Sequence, residues 1–385
     1  MNEEPLQHQS ISDATYLGAA TVLSLIGIVG CLFNACVIFI MLRDPRLWTP
    51  QNMIIFNLAS SDFAVSVLGN PVTLAAAITK GWIFGETICV IYGFFMALLG
   101  IASITTLTVL AYDRYLMIRY PFSSKRLTKE TALYAVGGIW IYAFAVTVPP
   151  LFGWNRYVNE SADISCSIDW ESGEHSNYVI YIFVFGLFIP LTVIIYSYVN
   201  LVITVRKRAA EKIIGQATKA ECRVAIMVAV MILAFLTAWI PYSVLSLLVA
   251  FGGIQISPAV SLIPALCAKS SICWNPIIYI GLNTQFRSAW KRFLNIPVTF
   301  SEGSVDGDIT TGVSKLMAGQ QDTMHSANSA ICSDADPPPG LMCCLAQDEH
   351  HRRDTDPEKY GCKMEMMFNN SPGVCTKSEI GDVSL

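Results

Sequence analysis

Ala268-Lys269-Ser270-Ser271-Ile272-Cys273-Trp274-Asn275-Pro276-Ile277-Ile278-Tyr279 decides how this chain is read. It lies within an apolar stretch, 257–281. Crossing a bilayer as a helix takes about 20 mostly apolar residues. By hydropathy this is the weakest of seven such stretches, because it carries Lys269 and Asn275. The others are 16–41, 53–78, 88–112, 133–152, 177–203 and 224–250. All are long continuous apolar runs rather than the short alternating segments of a barrel, so they predict helices. The fold class is an all-α membrane protein, a seven-transmembrane helix bundle.

Composition agrees. Of 385 residues, 53% are hydrophobic and only 14% charged, whereas soluble domains carry about 25% charged residues. An ordinary soluble enzyme is excluded. So is a small disulfide scaffold. A net charge of -4 offers no basic surface for nucleic acid.

Lys and Arg in short loops orient the bundle. One side holds only Lys80 and Arg156. The other holds Arg43, Arg46, Arg114, Arg119, Lys125, Arg126, Lys129, Arg206, Lys207, Arg208, Lys212, Lys219 and Arg223. Residues 1–15 are therefore the extracellular N-terminus, and the C-terminus is cytoplasmic. The opening residues are acidic and polar, unlike a cleavable signal, so span one reads as a signal anchor. The transmembrane domain runs over 16–281. In 283–294, Phe286, Trp290, Phe293 and Leu294 recur at helical spacing among Arg287, Lys291 and Arg292. That pattern predicts a short amphipathic helix on the inner leaflet. Residues 295–385 lack sustained periodicity and read as a disordered cytoplasmic tail. Its Cys343 and Cys344 are reduced thiols or lipid attachment points. Of twelve cysteines only Cys89 and Cys166 fall at the outer, oxidising surface. A disulfide between them would pin the second outer loop over the bundle.

Ionisable groups inside a membrane are functional candidates by default. Lys269 is the only lysine inside any span. It is too deep to snorkel easily, which leaves a buried salt bridge or covalent chemistry. A desolvated amine condenses with an aldehyde to a Schiff base. Small neighbours, Ala265 and Ala268, leave room for a bulky adduct, and Trp239 and Tyr242 in span six would line an apolar pocket. Asp62, Asn34 and Asn275 point to a hydrated polar network between spans one, two and seven. Arg114 of Asp113-Arg114-Tyr115 and Glu221 would clasp spans three and six at the cytoplasmic face and part when these separate. Pro241 and Pro276 should bend or weaken their helices.

Asn34, Leu58-Ala59-x-x-Asp62, Asp113-Arg114-Tyr115, Trp239-x-Pro241 and Asn275-Pro276-x-x-Tyr279 resemble the signature set of rhodopsin-like G-protein-coupled receptors, over residues 16 to 294. Lys269, six residues before Asn275, resembles the lysine of the opsin branch. The resemblance implies a light receptor rather than an enzyme, with 11-cis-retinal covalently bound to Lys269 as a Schiff base in a pocket including Tyr92, Trp239, Tyr242 and Ala265. It implies a heterotrimeric G protein as partner and a plasma or ciliary membrane location. It also implies that a receptor kinase and arrestin engage the Ser/Thr-bearing tail. Asn283-Thr284-Gln285 resembles the tripeptide of ciliary-type opsins, which favour the transducin/inhibitory class. The outer loop is most like encephalopsins and related non-visual ciliary opsins.

Vertebrate visual pigments in that family carry a counterion glutamate where this chain has Tyr92. The family's other counterion position falls on Glu160, with Glu86 and Asp163 as further candidates. A bistable pigment would follow. Asn159-Glu160-Ser161 is also a glycosylation sequon, and an inward Glu160 would constrain Asn159. A retinal photoisomerase would need Lys269 but no intact G-protein face. A receptor for a diffusible ligand would not need Lys269.

Overall fold

The computed structural model describes residues 11–120, 127–171, 176–211 and 216–293. The expectations for residues 1–10, Leu294 and the tail, including Cys343 and Cys344, lie outside these residues. The described chain is a helical bundle: α1 (Asp13–Arg43), α2 (Pro50–Thr79), α3 (Gly85–Arg119), α4 (Lys129–Thr147), α5 (Ser176–Ala210), α6 (Gln216–Gly252), α7 (Pro258–Leu282) and α8 (Thr284–Phe293). The first six are long and apolar enough to cross a membrane. With 25 residues, α7 is long enough to be the seventh span.

Local chemistry explains the helix ends. Ser12 and Thr49 accept hydrogen bonds from backbone N–H groups in the first turns of α1 and α2. Thr128 and Thr131 cap the start of α4 reciprocally. Several helices run past the apolar stretches, because their ends emerge among polar groups. Span four is the reverse case. Its helix stops at Thr147, and Pro149–Phe152 form a separate tight turn, since consecutive prolines cannot continue the α-helical ladder.

Two spans contain a wider π-helical turn, at Val65–Gly69 in α2 and Val184–Phe188 in α5. Each is followed within two residues by a proline, Pro71 or Pro190. The preceding residue reaches back five positions: Asn70 N–H bonds Val65 O, and Ile189 N–H bonds Val184 O. The extra residue accommodates a proline that cannot donate. It also turns all that follows by about 100° around the helix axis. Pro241 and Pro276, expected to bend or weaken α6 and α7, lie inside helices that continue past them.

Helix α3 packs against α2, α4, α5 and α6. One half of the bundle packs as a hydrophobic core containing Ile54, Leu58, Leu107, Leu110, Met231 and Tyr279. Leu25, Ile28 and Leu32 of α1 are instead exposed, as befits a face turned to lipid. At the end of the bundle where α3 begins, a two-stranded antiparallel hairpin, β1 (Tyr157–Asn159) and β2 (Cys166–Ile168), covers the helices, with Asn159 opposite Cys166. The Cys89–Cys166 disulfide ties it to the first turns of α3. Gly93 lets it come close: a Cβ there would stand 2.8 Å from the Tyr157 ring.

The disulfide closes a loop with a sequence separation of 77. The chain-entropy relation assigns such a closure about 4 kcal/mol. Cys166→Ser should therefore lower the thermal unfolding midpoint of the purified protein by several degrees. An unchanged midpoint would mean that hairpin contacts alone hold the loop.

Candidate functional site

Beneath the hairpin lies a largely apolar cavity that extends inward from Glu160 to Asp62. Lys269, Tyr92, Trp239, Tyr242 and Ala265 all line it. Trp239 of α6 reaches across to α3 because Gly100 has no side chain: a Cβ there would stand 3.2 Å from the indole. The indole N–H donates to Ser271 Oγ of α7 at 3.2 Å.

Lys269 enters from the middle of α7. Its Nζ donates to Tyr92 Oη at 2.8 Å and lies 5.5 Å from the centroid of the same ring. Both contacts favour a cation. The Tyr92 hydroxyl also hydrogen-bonds Thr73 Oγ1 of α2 at 2.6 Å. Glu160, in the turn after β1, accepts from Tyr242 Oη at 2.7 Å and from Ser165 Oγ. Glu160 lines the same cavity as Lys269. The site thus offers a primary amine, an apolar enclosure and a nearby carboxylate.

The other counterion candidates face elsewhere. Glu86 is exposed at the start of α3. Asp163 is exposed and accepts from Asn159 Nδ2 at 2.9 Å. Asn159, the last residue of β1, is itself exposed rather than enclosed with Glu160. Outside the membrane, burial raises the pKa of Tyr157 in β1, whose hydroxyl donates to Thr147 O at 2.7 Å.

At the inner end of the cavity, Asp62 accepts from Asn275 Nδ2 at 2.8 Å and, more weakly, from Ser103 Oγ at 3.5 Å. Asn34 does not join Asp62 directly. Its Nδ2 donates to Gly30 O and Ile272 O, both at 2.9 Å. Ile272 is four residues before Pro276, so its carbonyl has lost its usual helical donor. Asn34 supplies the missing hydrogen, which helps explain why α7 continues through the proline. Among the described residues, Asn34 Oδ1, Ser61 Oγ and Tyr279 Oη are buried without a partner.

Near the end of α3, Arg114 pairs with Asp113 and, through Nη1, with Glu221 Oε2 at 2.9 Å. This joins α3 to α6. Tyr115 packs edge-on against Tyr196 of α5. Asn283 Oδ1 accepts from the N–H groups of Gln285 and Phe286 and so caps α8. Gln285 Oε1 accepts from Asn52 of α2 at 3.1 Å. Both side chains anchor α8 to the bundle.

Thr73 and Ser165 escaped the sequence reading. The signal for Thr73 was a polar residue just beyond Asn70-Pro71 in an apolar span. Its facing depends on the π turn, which spacing does not reveal.

The family model "7 transmembrane receptor (rhodopsin family)" matches residues 33–279. Human melanopsin is 38% identical over 308 residues, which is 75% of this chain and 64% of that protein, so the chain spans under two thirds of this relative's length. The rhodopsin of Sminthopsis crassicaudata is 38% identical over 267 residues, covering 68% of this chain and 77% of that protein. The crystal structure of squid rhodopsin superposes with a TM-score of 0.70 at 29% identity, covering 80% of this chain and 94% of that one.

Asn34→Ala should strand the Ile272 carbonyl and cost about 1–3 kcal/mol. Thermal unfolding against Asn34→Asp checks this, because aspartate keeps the shape but, when ionised, cannot donate. If the Ala and Asp variants both match wild type, the Asn34 bridge contributes nothing.

Proposed function

The chain belongs to the rhodopsin family of seven-transmembrane receptors, and on that premise we propose that it is a light receptor with retinal held at Lys269. The observation that carries this reading is the Lys269 amine inside a largely apolar cavity, facing Tyr92, with Glu160 lining the same cavity. These residues fit an apolar aldehyde: the amine is the attachment point, Ala265 and Ala268 leave space, and Trp239 and Tyr242 wall the chamber. Bound there as a Schiff base in its 11-cis form, retinal would supply light-driven isomerisation.

The chain's own residues do the rest. Glu160 provides the negative charge that lets the Lys269 nitrogen keep its proton in an apolar setting. Tyr242 and Ser165 hold that carboxylate in place. Tyr92 accepts a hydrogen bond where another family member would carry a charge. With the compensating charge on the outer hairpin, the pocket would retain its chromophore through a light cycle and could be reset by a second photon, which is the bistable behaviour.

Trp239 lines the cavity on α6, and Glu221 on the same helix pairs with Arg114. A light-induced change of shape against Trp239 would thus bear on the helix that closes the cytoplasmic face. Only a difference in interaction between two states can shift their populations. The Arg114–Glu221 pair is the element to be released, opening a site for a heterotrimeric G protein, which we place in the inhibitory class on the Asn283-Thr284-Gln285 resemblance.

The test is an absorption spectrum of full-length protein reconstituted with 11-cis-retinal, before and after light. A long-wavelength band should form, vanish in Lys269→Ala, and move toward the ultraviolet at neutral pH in Glu160→Gln. Light-dependent nucleotide exchange on an added G protein should accompany it. A band without exchange would favour a photoisomerase. A ligand response that survives Lys269→Ala would favour a receptor for a diffusible molecule.

A further inference from the structure

Lys269, Tyr92, Thr73 and Gly69 form a row of hydrogen bonds whose direction is set at its ends. The Gly69 carbonyl can only accept, and Thr73 Oγ1 is placed to donate to it, at 3.3 Å. Thr73 Oγ1 and Tyr92 Oη lie 2.6 Å apart, a pair in which either hydroxyl can donate; with the threonine hydrogen on Gly69 O and Tyr92 accepting from Lys269, the tyrosine is the donor. Tyr92 has no second hydrogen to give. Its oxygen is left facing Lys269 as an acceptor, and Nζ donates to it across 2.8 Å.

We propose that Thr73 is a positioning residue: it holds the Tyr92 hydroxyl with its oxygen toward the Lys269 nitrogen and so helps that nitrogen keep its proton. Where it concerns the bound pigment, this rests on the reading of Lys269 as the retinal attachment site. Hydrogen bonds in a row polarise one another, so a tyrosine that donates onward is the better acceptor. The π turn at Val65–Gly69 is part of the arrangement. It ends on the accepting carbonyl, and its extra residue turns Thr73 by about 100° relative to an uninterrupted helix.

Other ionisable groups set the background. Glu160 lines the same cavity from the hairpin and is itself held by Tyr242 of α6. Asp62 of α2 lies at the inner end of the cavity, bonded to Asn275. On α1, Tyr16 lies in the first turns of the helix and is not among the residues that line the cavity. Of these groups, Thr73 touches only Tyr92 by hydrogen bond, so a change at residue 73 isolates the tyrosine's contribution.

The experiment compares wild type, Thr73→Val and Thr73→Ser in the full-length protein. In the ligand-free arm, Lys269 is reductively methylated with formaldehyde and cyanoborohydride over a pH series, and its peptide is quantified by mass spectrometry with exposed Lys80 as reference. Valine matches threonine in shape but cannot hydrogen-bond, so the labelling midpoint of Lys269 should fall by about half to one pH unit. Serine should restore it. In a Tyr92→Phe background the Thr73→Val shift should disappear. An unmoved midpoint in Thr73→Val, or a shift that persists without the Tyr92 hydroxyl, overturns the proposal.

In the second arm, 11-cis-retinal is added. The pH at which the long-wavelength band gives way to a short-wavelength one should follow the same order. If wild type forms no band, the reading of Lys269 as the retinal site fails, while the labelling arm still decides the role of Thr73.

Discussion

An amine in the hydrocarbon interior must be given partners, and much of the outer half of this protein is arranged around that need. Isolated charges are costly to bury. Lys269 is answered from elements far apart in the chain: Tyr92 on α3, Thr73 on α2 behind it, and Glu160 on the outer hairpin with Tyr242 of α6 behind that. The disulfide holds the hairpin at the top of α3, and Gly93 lets it seat deeply. Removing any one of these supports would alter the setting of the same nitrogen, which makes the cavity one device rather than a set of independent contacts.

The same constraint governs the backbone. Within a bilayer, water is not at hand for carbonyls that prolines have released. Side chains of neighbouring helices serve them instead. Asn34 donates to Ile272 O beside Pro276. Tyr142 of α4 donates to Phe185 O at 2.6 Å, a carbonyl whose five-residue donor position is occupied by Pro190. The π turns place the cost of each proline in a single turn and leave the rest of the helix regular. Irregularity in a span thereby becomes a helix–helix contact.

The cavity is continuous from the hairpin to Asp62, and the next polar groups inward are Asn275, Asn34 and Tyr279. Beyond them the hydrophobic core gives way to the Arg114–Glu221 pair. Buried polar atoms without partners, such as Tyr279 Oη, lie between these two ends. A packed core that is bistable can convert small shifts at one end into separation at the other.

The sequence by itself determined the membrane class and singled out the residues worth watching. Those properties follow from composition and spacing: long apolar runs and a lysine where none should be. Cys89 and Cys166 were legible because the count of basic loop residues assigns only these two cysteines to an oxidising side. Tertiary structure decided how these residues meet. It turned Glu160 inward while leaving Asn159 exposed, and it gave Asn34 to a carbonyl rather than to Asp62. It also committed Asn283 and Gln285 to anchoring α8 and brought Thr73 to Tyr92. The reason is geometric: facing depends on π turns and on strand register, where one residue more or less redirects every side chain that follows. Local spacing does not record that offset. It is settled only when neighbouring helices compete for the same buried hydrogen bonds.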